Sequence, residues 1–425
     1  MSLVSDVLTK QVRTYFTGNS SKYIFEPSSA PKAQKIEELN LYIHIPFCQN
    51  TCPYCPYNKI KYDKELVGPY LSAILNELQL YRSLFGKFKI SSIYIGGGTP
   101  TLMIDELKTI IEEINKNFIL NGDICIETSP NDITDALIKK MHACKIDLVS
   151  LGAQSFQDKN LGFIGRNYKS SLLSKRLEQL TNANFKSINL DMMFALPGQD
   201  MDSLIYDLAQ AADCGADQIT TYPLFTFPYS TIGNYLKLKK VKMPNLKQRK
   251  KMYYKINECL LEKGFNRVSV WGFKKGDVPR YSSVTRDNYI GIGAGAGSHL
   301  PEGFYLNTFS IKEYIDRCLL NKFPTALHMK FNEAMQNFFW LYWRFYDTHV
   351  SKTEISNRFG EDLKVTKLFE FFRIFRFIEE ESDSIKLNLR GAFWVHLMQN
   401  YFSLNYINKI WTVAMSNPFP SKIVL

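Results

Sequence analysis

Leu41-Tyr-Ile-His-Ile-Pro-Phe-Cys48-Gln-Asn-Thr-Cys52-Pro-Tyr-Cys55 joins the two signals from which the rest of the chain can be read. Residues 41–45 (LYIHI) are β-branched and aromatic, the composition of a short strand, and Pro46 stops it. Directly behind the strand, three of the eight cysteines crowd into eight residues as C-x3-C-x2-C, whereas Cys125, Cys144, Cys214, Cys259 and Cys318 are scattered. Crowded thiols mean metal or redox chemistry. Iron–sulfur cubanes usually take four cysteines, one per iron, so three would leave one iron open to a small molecule. A zinc ion on the three thiolates and His44 is the competing arrangement, although structural zinc favours paired cysteines and none of the other five is paired.

Outward from this stretch, a strand-then-helix rhythm repeats. Further β-rich runs lie at 92–95 (SIYI), 123–127 (DICIE), 148–152 (LVSLG), 188–192 (INLDM) and 218–222 (QITTY), with helical patterns at 67–80, 105–115, 170–182 and 201–214. Six β-α units in series specify a parallel sheet with right-handed crossovers. Six falls short of eight, so the expected fold is α/β, a partial (β/α)6 TIM barrel, with its chemistry on the rim where the strands end. Past residue 233 the rhythm fades into a Lys-rich stretch and then a Gly-rich run, GIGAGAG at 291–297. From 331 the chain turns helical and aromatic. Ser351 and Glu354 form an S-x-x-E cap signal for a helix at 353–359, a second helix covers 363–375, a hairpin 377–389 and a last helix 390–402. That order predicts a mainly helical, winged-helix-like C-terminal domain. The expected division is 1–40, an amphipathic arm with a polar connector; 41–232, the partial barrel; 233–330, the basic region and Gly-rich run completing it; and 331–425, a helical domain capping the substrate.

Across 425 residues, 45% hydrophobic and 22% charged positions supply a sizeable core and exclude global disorder. No stretch approaches 18 apolar residues in a row and no secretory leader opens the chain, so no membrane span and a cytoplasmic location are expected. The net charge of +11 is local: 233–280 holds fourteen Lys and Arg against Glu258, Glu262 and Asp277, an excess equal to that of the whole chain. Such a patch suits an anionic small-molecule or carrier-bound substrate, or an acidic electron donor. Nucleic acid fits poorly, because 351–390 mixes Glu354, Glu361, Glu379, Glu380 and Glu381 among its bases.

The C-x3-C-x2-C loop with its YIHIPFC approach resembles the radical SAM superfamily. Within it, the text is similar to the subgroup of oxygen-independent coproporphyrinogen III dehydrogenase, the related haem chaperone and the class C radical SAM methyltransferases. The resemblance implies a [4Fe–4S] cluster on Cys48, Cys52 and Cys55, with S-adenosylmethionine (SAM) on the open iron, cleaved by one electron to a 5′-deoxyadenosyl radical. A donor such as flavodoxin or ferredoxin would supply that electron. The resemblance also implies SAM contacts along the rim. Gly97, Gly98 and Thr99 would meet the methionine ammonium, Glu127 the amino or ribose groups, Arg166 the carboxylate and Asp191 a ribose hydroxyl. Gln154 joins them, and Tyr42 and Tyr54 would pack against cluster and cofactor. Taken singly, a strand-end Asp or Glu is more often a helix cap. Five polar groups on one rim, beside a three-thiolate loop, make the SAM site the better reading.

The reaction is less plainly written. Coproporphyrinogen dehydrogenases carry a fourth Cys two residues after the third, where this chain has Pro56-Tyr57. The haem chaperone carries an H-N-x-x-Y-W segment; the corresponding text from Ser283 lacks that His, and His299 is a few residues out of place. Class C methyltransferases, which bind two SAM molecules, and the anaerobic haem-opening methyltransferases, whose run also reads GAGAG, both fit the loop. Backbone amides of Gly293, Ala294, Gly295 and Ala296 would approach the second SAM or the substrate. The expectation is therefore C-methylation or cyclopropanation of an unsaturated substrate, with tetrapyrrole chemistry or haem chaperoning as alternatives. The aromatic tail around Gly391–Trp394 serves either to cap a flat substrate or to fill a small core. No general acid or base is identifiable.

Overall fold

The computed structural model describes residues 22–237, 242–281 and 287–425. The amphipathic start of the arm, Lys239 and Lys240 of the basic stretch, and 283–286 of the chaperone comparison lie outside the described residues.

All six expected strands form, as Glu38–Ile45, Lys89–Gly97, Ile124–Thr128, Leu148–Gln154, Ser187–Phe194 and Gln218–Pro223. Each lies parallel to the next in that order. Their two faces differ because side chains alternate with period two. One set, including Leu41, Ile43, Ile93, Ile95, Ile126, Val149, Leu151, Ile188, Leu190 and Ile219, is buried in the core that packs on the crossover helices. The other set is aromatic or polar and faces away from those helices. Side-chain caps start the helices where the sequence offers them: Asp63 before Lys64–Phe85, Thr134 before Asp135–Ala143 and Asp200 before Met201–Asp213.

The sheet is larger than the periodicity indicates. Tyr289–Ile292 is a seventh parallel strand beside Glu38–Ile45. It is only four residues long, and glycines inside and behind it hide the pattern. From there the sheet continues antiparallel through Gly297–Leu300, Gly303–Asn307 and Thr325–Lys330 to Ile24–Pro27 and Ile423–Val424. The polar connector thus contains a strand, and the end of the chain returns to pair with it. Local periodicity cannot reveal a partner so distant in sequence. At the opposite edge, Gly272–Lys274 runs antiparallel to Gln218–Pro223.

The C-terminal elements follow the expected order. Helices Lys352–Phe359 and Leu363–Ile374 precede the hairpin Ile378–Glu380 and Ser384–Leu387, to which His349–Ser351 adds a third strand, and Leu389–Phe402 follows. The side chains of Ala392, Phe393 and Trp394 pack as core. Phe393 joins the barrel core, while Trp394 stacks on Phe377 at 5.7 Å inside the winged-helix core. Among the described residues no helix is long and apolar enough to cross a membrane.

Candidate active site

The alternate strand set builds the site. Register aligns Tyr42 with Tyr94, Glu127 with Ser150, and Asp191 with Thr220. Hydrogen bonds then knit these polar positions across the strands. Tyr94 donates to one Glu127 oxygen and the Gly97 amide to the other at 3.1 Å. Asp191 accepts from Ser150 Oγ at 3.0 Å and from Asn189 Nδ2 at 3.0 Å, and Thr220 donates to Asn189 at 2.9 Å. Gln154, with a left-handed φ of 71°, is buried and accepts from the Tyr222 hydroxyl. Tyr94, Ser150, Asn189 and Tyr222 were not anticipated. Tyr94 and Ser150 are in register with Tyr42 and Glu127, Asn189 lies two residues before Asp191, and Tyr222 lies two residues beyond Thr220, the register partner of Asp191, so period-two extension would have found them.

The three-cysteine loop leaves the rim between Phe47–Cys48 and Ile60–Lys61, two short segments that pair with each other. It is pressed against the glycine turn of the neighbouring strand. The Gly98 amide donates to Ile45 O and the Thr99 amide to Phe47 O, both at 2.7 Å. A Cβ at Gly98 would lie 2.5 Å from Phe47 O and 2.9 Å from Cys48 Sγ, so only glycine allows this approach. All three sulfurs are free thiols, with Cys48 buried and Cys52 and Cys55 half-buried. Burial pushes the Cys48 thiol up to about 11 and raises Cys55 as well. As thiolates they need positive charge beside them, which coordinated metal supplies. His44 does not join a zinc site: its Nδ1 meets the Tyr42 hydroxyl and its Nε2 meets Asn58 O, each at 2.8 Å. Among the described residues no three His, Cys, Asp or Glu side chains converge as one ion requires. A cubane, which spreads its thiolates over separate irons, has no such requirement.

Beside the loop, charges are arranged for a zwitterion. Cys52, Thr99, Asp132 and Arg166 line one cleft with about 350 Å³ of empty space. Arg166 donates to the Tyr54 hydroxyl at 2.9 Å, yet its buried Nε has no partner. Glycine at 152 keeps Gln154 and Arg166 together, since a Cβ there would sit 3.1 Å from Gln154 Nε2 and 3.4 Å from Arg166 Nη2. Burial raises the Glu127 carboxyl; burial and the charge of Glu127 push Asp191 up to about 7. A cationic ligand between them would draw both back down. The residues therefore fit the groups implied by sequence: three thiolates for a cluster, two carboxylates for a cation and ribose, and one unspent guanidinium N–H for a carboxylate.

Gly293, Ala294, Gly295 and Ala296 are not part of this constellation. The Gly293 amide donates to Glu77 Oε2 at 2.9 Å, Ala294 to the Tyr70 hydroxyl at 2.9 Å, Gly295 to Thr308 O at 2.8 Å and Ala296 to Gly293 O at 3.2 Å. Every amide expected to approach a second SAM is used inside the protein. Glu77, fully buried, also accepts from Asn307 and Tyr314, and Asn58 ties the run to the cysteine loop by donating to Ala294 O at 3.0 Å. The run is a buttress behind the cysteine loop. The sequence could not reveal this, because Glu77 lies 216 residues from Gly293.

Comparisons with known proteins agree with this geometry. Residues 42–210 match the family described as the radical SAM superfamily. The Bacillus subtilis (strain 168) protein named heme chaperone HemW is 29% identical over 290 residues, covering 67% of this chain and 76% of that protein. The Salmonella typhimurium oxygen-independent coproporphyrinogen III oxidase is 25% identical over 296 residues, covering 65% of this chain and 64% of that one. The solved structure of coproporphyrinogen III oxidase (HemN) from Escherichia coli, titled a radical SAM enzyme, superposes with a TM-score of 0.72 at 19% identity, over 94% of this chain and 93% of the other. At that identity it speaks for the fold.

Proposed function

Residues 42–210 form a radical SAM domain, and from that premise we propose an enzyme acting on a carboxylate-bearing tetrapyrrole with a single SAM. When bound, the [4Fe–4S] cluster and SAM supply one-electron cleavage of the sulfonium and a radical that abstracts hydrogen. The chain's own residues bind, orient and shield. Cys48, Cys52 and Cys55 hold the cluster. Arg166 takes the methionine carboxylate, while Glu127 and Asp191 face the ammonium and ribose. Gly97 and Gly98 let backbone approach closely. Tyr42, Tyr94 and Tyr281, with ring separations of 6.0 and 5.4 Å, line the barrel interior with aromatic faces suited to a flat unsaturated substrate.

The observation that carries this reading over C-methylation is the internal use of the amides at 293–296, which removes the residue basis for a second SAM there. The names of the relatives, a heme chaperone and a coproporphyrinogen III oxidase, support tetrapyrrole handling. Chaperoning through His299 is disfavoured, because that ring is 4% exposed and packs on Phe339 at 4.2 Å.

Reconstituted protein given a reductant and methyl-deuterated SAM should form 5′-deoxyadenosine faster when coproporphyrinogen III is added. Mass spectrometry should find that product free of methyl-derived deuterium. Deuterium in 5′-deoxyadenosine would instead mean abstraction from a second SAM, and the methylation reading would replace this one.

A further inference from the structure

The rim end of the Leu246–Glu262 helix carries a cation for which the described residues supply no counter-charge. Met252, Tyr253, Ile256 and Leu260 form the buried stripe of this helix. Arg249, one turn ahead of Tyr253, extends that stripe, and its side chain is half-buried. Burial lowers its pKa, with no carboxylate acting against that fall. Outside the described residues the sequence holds a single carboxylate, Asp6.

Beside it stands a second unspent donor. His396 is fully buried, and its Nδ1 accepts from Trp271 Nε1 at 3.0 Å. The ring proton therefore sits on Nε2, which has no partner. Burial and the nearby Arg249 charge hold this imidazole neutral. A buried donor without an acceptor is costly, and a half-buried cation without a counter-charge bears part of the same desolvation cost.

The place is the chemical end of the barrel. Lys263, at the foot of the helix, bonds Asp213 at 2.9 Å, at the foot of Met201–Asp213, so the two helices run parallel. Both therefore start on the side where the strands end. The His396 ring lies 5.8 Å from Phe194, on the helix-facing side of the end of the strand that carries Asp191. Lys242, Lys247, Lys250 and Lys251, all exposed, lie within seven residues of Arg249 in sequence, adding long-range attraction for anions.

We infer that Arg249 and His396 form an anion site at the seam between barrel and C-terminal helices, and that it takes a carboxylate of the substrate. A planar guanidinium fork plus one N–H suits a carboxylate. The inference rests on the proposed function only for the identity of the molecule bearing that carboxylate.

Reconstituted wild type, Arg249→Gln, Arg249→Lys and Lys250→Ala are titrated with coproporphyrin III and with its neutral tetramethyl ester, and melted with and without citrate. Arg249→Gln should bind coproporphyrin III about ten-fold more weakly, as expected for a lost charge-assisted hydrogen bond. Ester binding should be indifferent to the substitution. Arg249→Lys should recover part of the loss, and Lys250→Ala should change affinity less than about two-fold. Citrate should raise the Tm of the wild type but not of Arg249→Gln, and without anion that variant should melt no lower than the wild type. A citrate response that depends on Arg249 in a protein that binds no porphyrin would keep the site and remove the tetrapyrrole. The inference is overturned if Arg249→Gln responds to both probes as the wild type does, if the wild type responds to neither, or if Arg249→Gln alone melts markedly lower.

Discussion

Replacing Cys48, Cys52 or Cys55 singly with Ala is expected to strip the reconstituted protein of most of its iron and to end 5′-deoxyadenosine formation. The reason is the count. A cubane normally has one protein thiolate per iron; in the proposed site three would serve, leaving one iron for SAM. Removing a further thiolate leaves two irons without protein ligands in a half-buried loop. The loss should exceed about 100-fold in rate, beyond the 10–100-fold that outer partners of a metal site typically cost. Iron and sulfide analysis with chromatographic quantification of 5′-deoxyadenosine reads it. Cys144→Ser is the control, because Cys144 is a buried core thiol that donates to Ile104 O and should keep the wild-type iron content. A single-cysteine variant with wild-type product formation would remove the cluster from this loop.

Arg166→Ala should have the second-largest effect, of a different kind. The guanidinium already bonds Tyr54 and holds an unspent Nε N–H at the cleft that also contains Cys52 and Thr99. Losing a charge-assisted contact to the SAM carboxylate costs about 1.5–3 kcal/mol, roughly 10–150-fold in affinity. Iron loading should stay at the wild-type level, because no sulfur contact is touched. Arg166→Lys should restore only part of the affinity, since an ammonium cannot reproduce the fork. Equilibrium binding of SAM to the reconstituted variants decides it; unchanged affinity would assign the carboxylate elsewhere.

Much of this was legible before any coordinates. The six parallel strands announced themselves because their outward positions, Ile43, Ile95, Ile126, Leu151 and Leu190 among them, must be apolar to meet the helices. The cysteine spacing was legible directly, Glu127 and Asp191 could be placed at strand ends, and the resemblance to the radical SAM superfamily singled out Arg166 twelve residues beyond Gln154. What stayed hidden depends on contacts across large separations in sequence. Ile24–Pro27 and Ile423–Val424 complete each other's edge, and Glu77 decides what the glycine run does. GAGAG read equally well as a ligand cradle or a tight turn, because glycine permits close approach to either a ligand or neighbouring protein. Here the neighbours are His44 O and Tyr70, which a Cβ at Gly293 would approach to 2.5 and 2.8 Å. The basic stretch was legible as charge, but that one of its members is half-buried beside a neutral histidine was not.

The most direct test of the cluster and SAM site is low-temperature electron paramagnetic resonance of the reconstituted, reduced protein before and after SAM is added. The expected result is a [4Fe–4S] signal in the wild type that changes shape with SAM, remains unmoved by the same SAM concentration in Arg166→Ala, and is absent when the three cysteines are replaced together. A wild-type signal indifferent to SAM, or the same signal in the triple-cysteine variant, would contradict it.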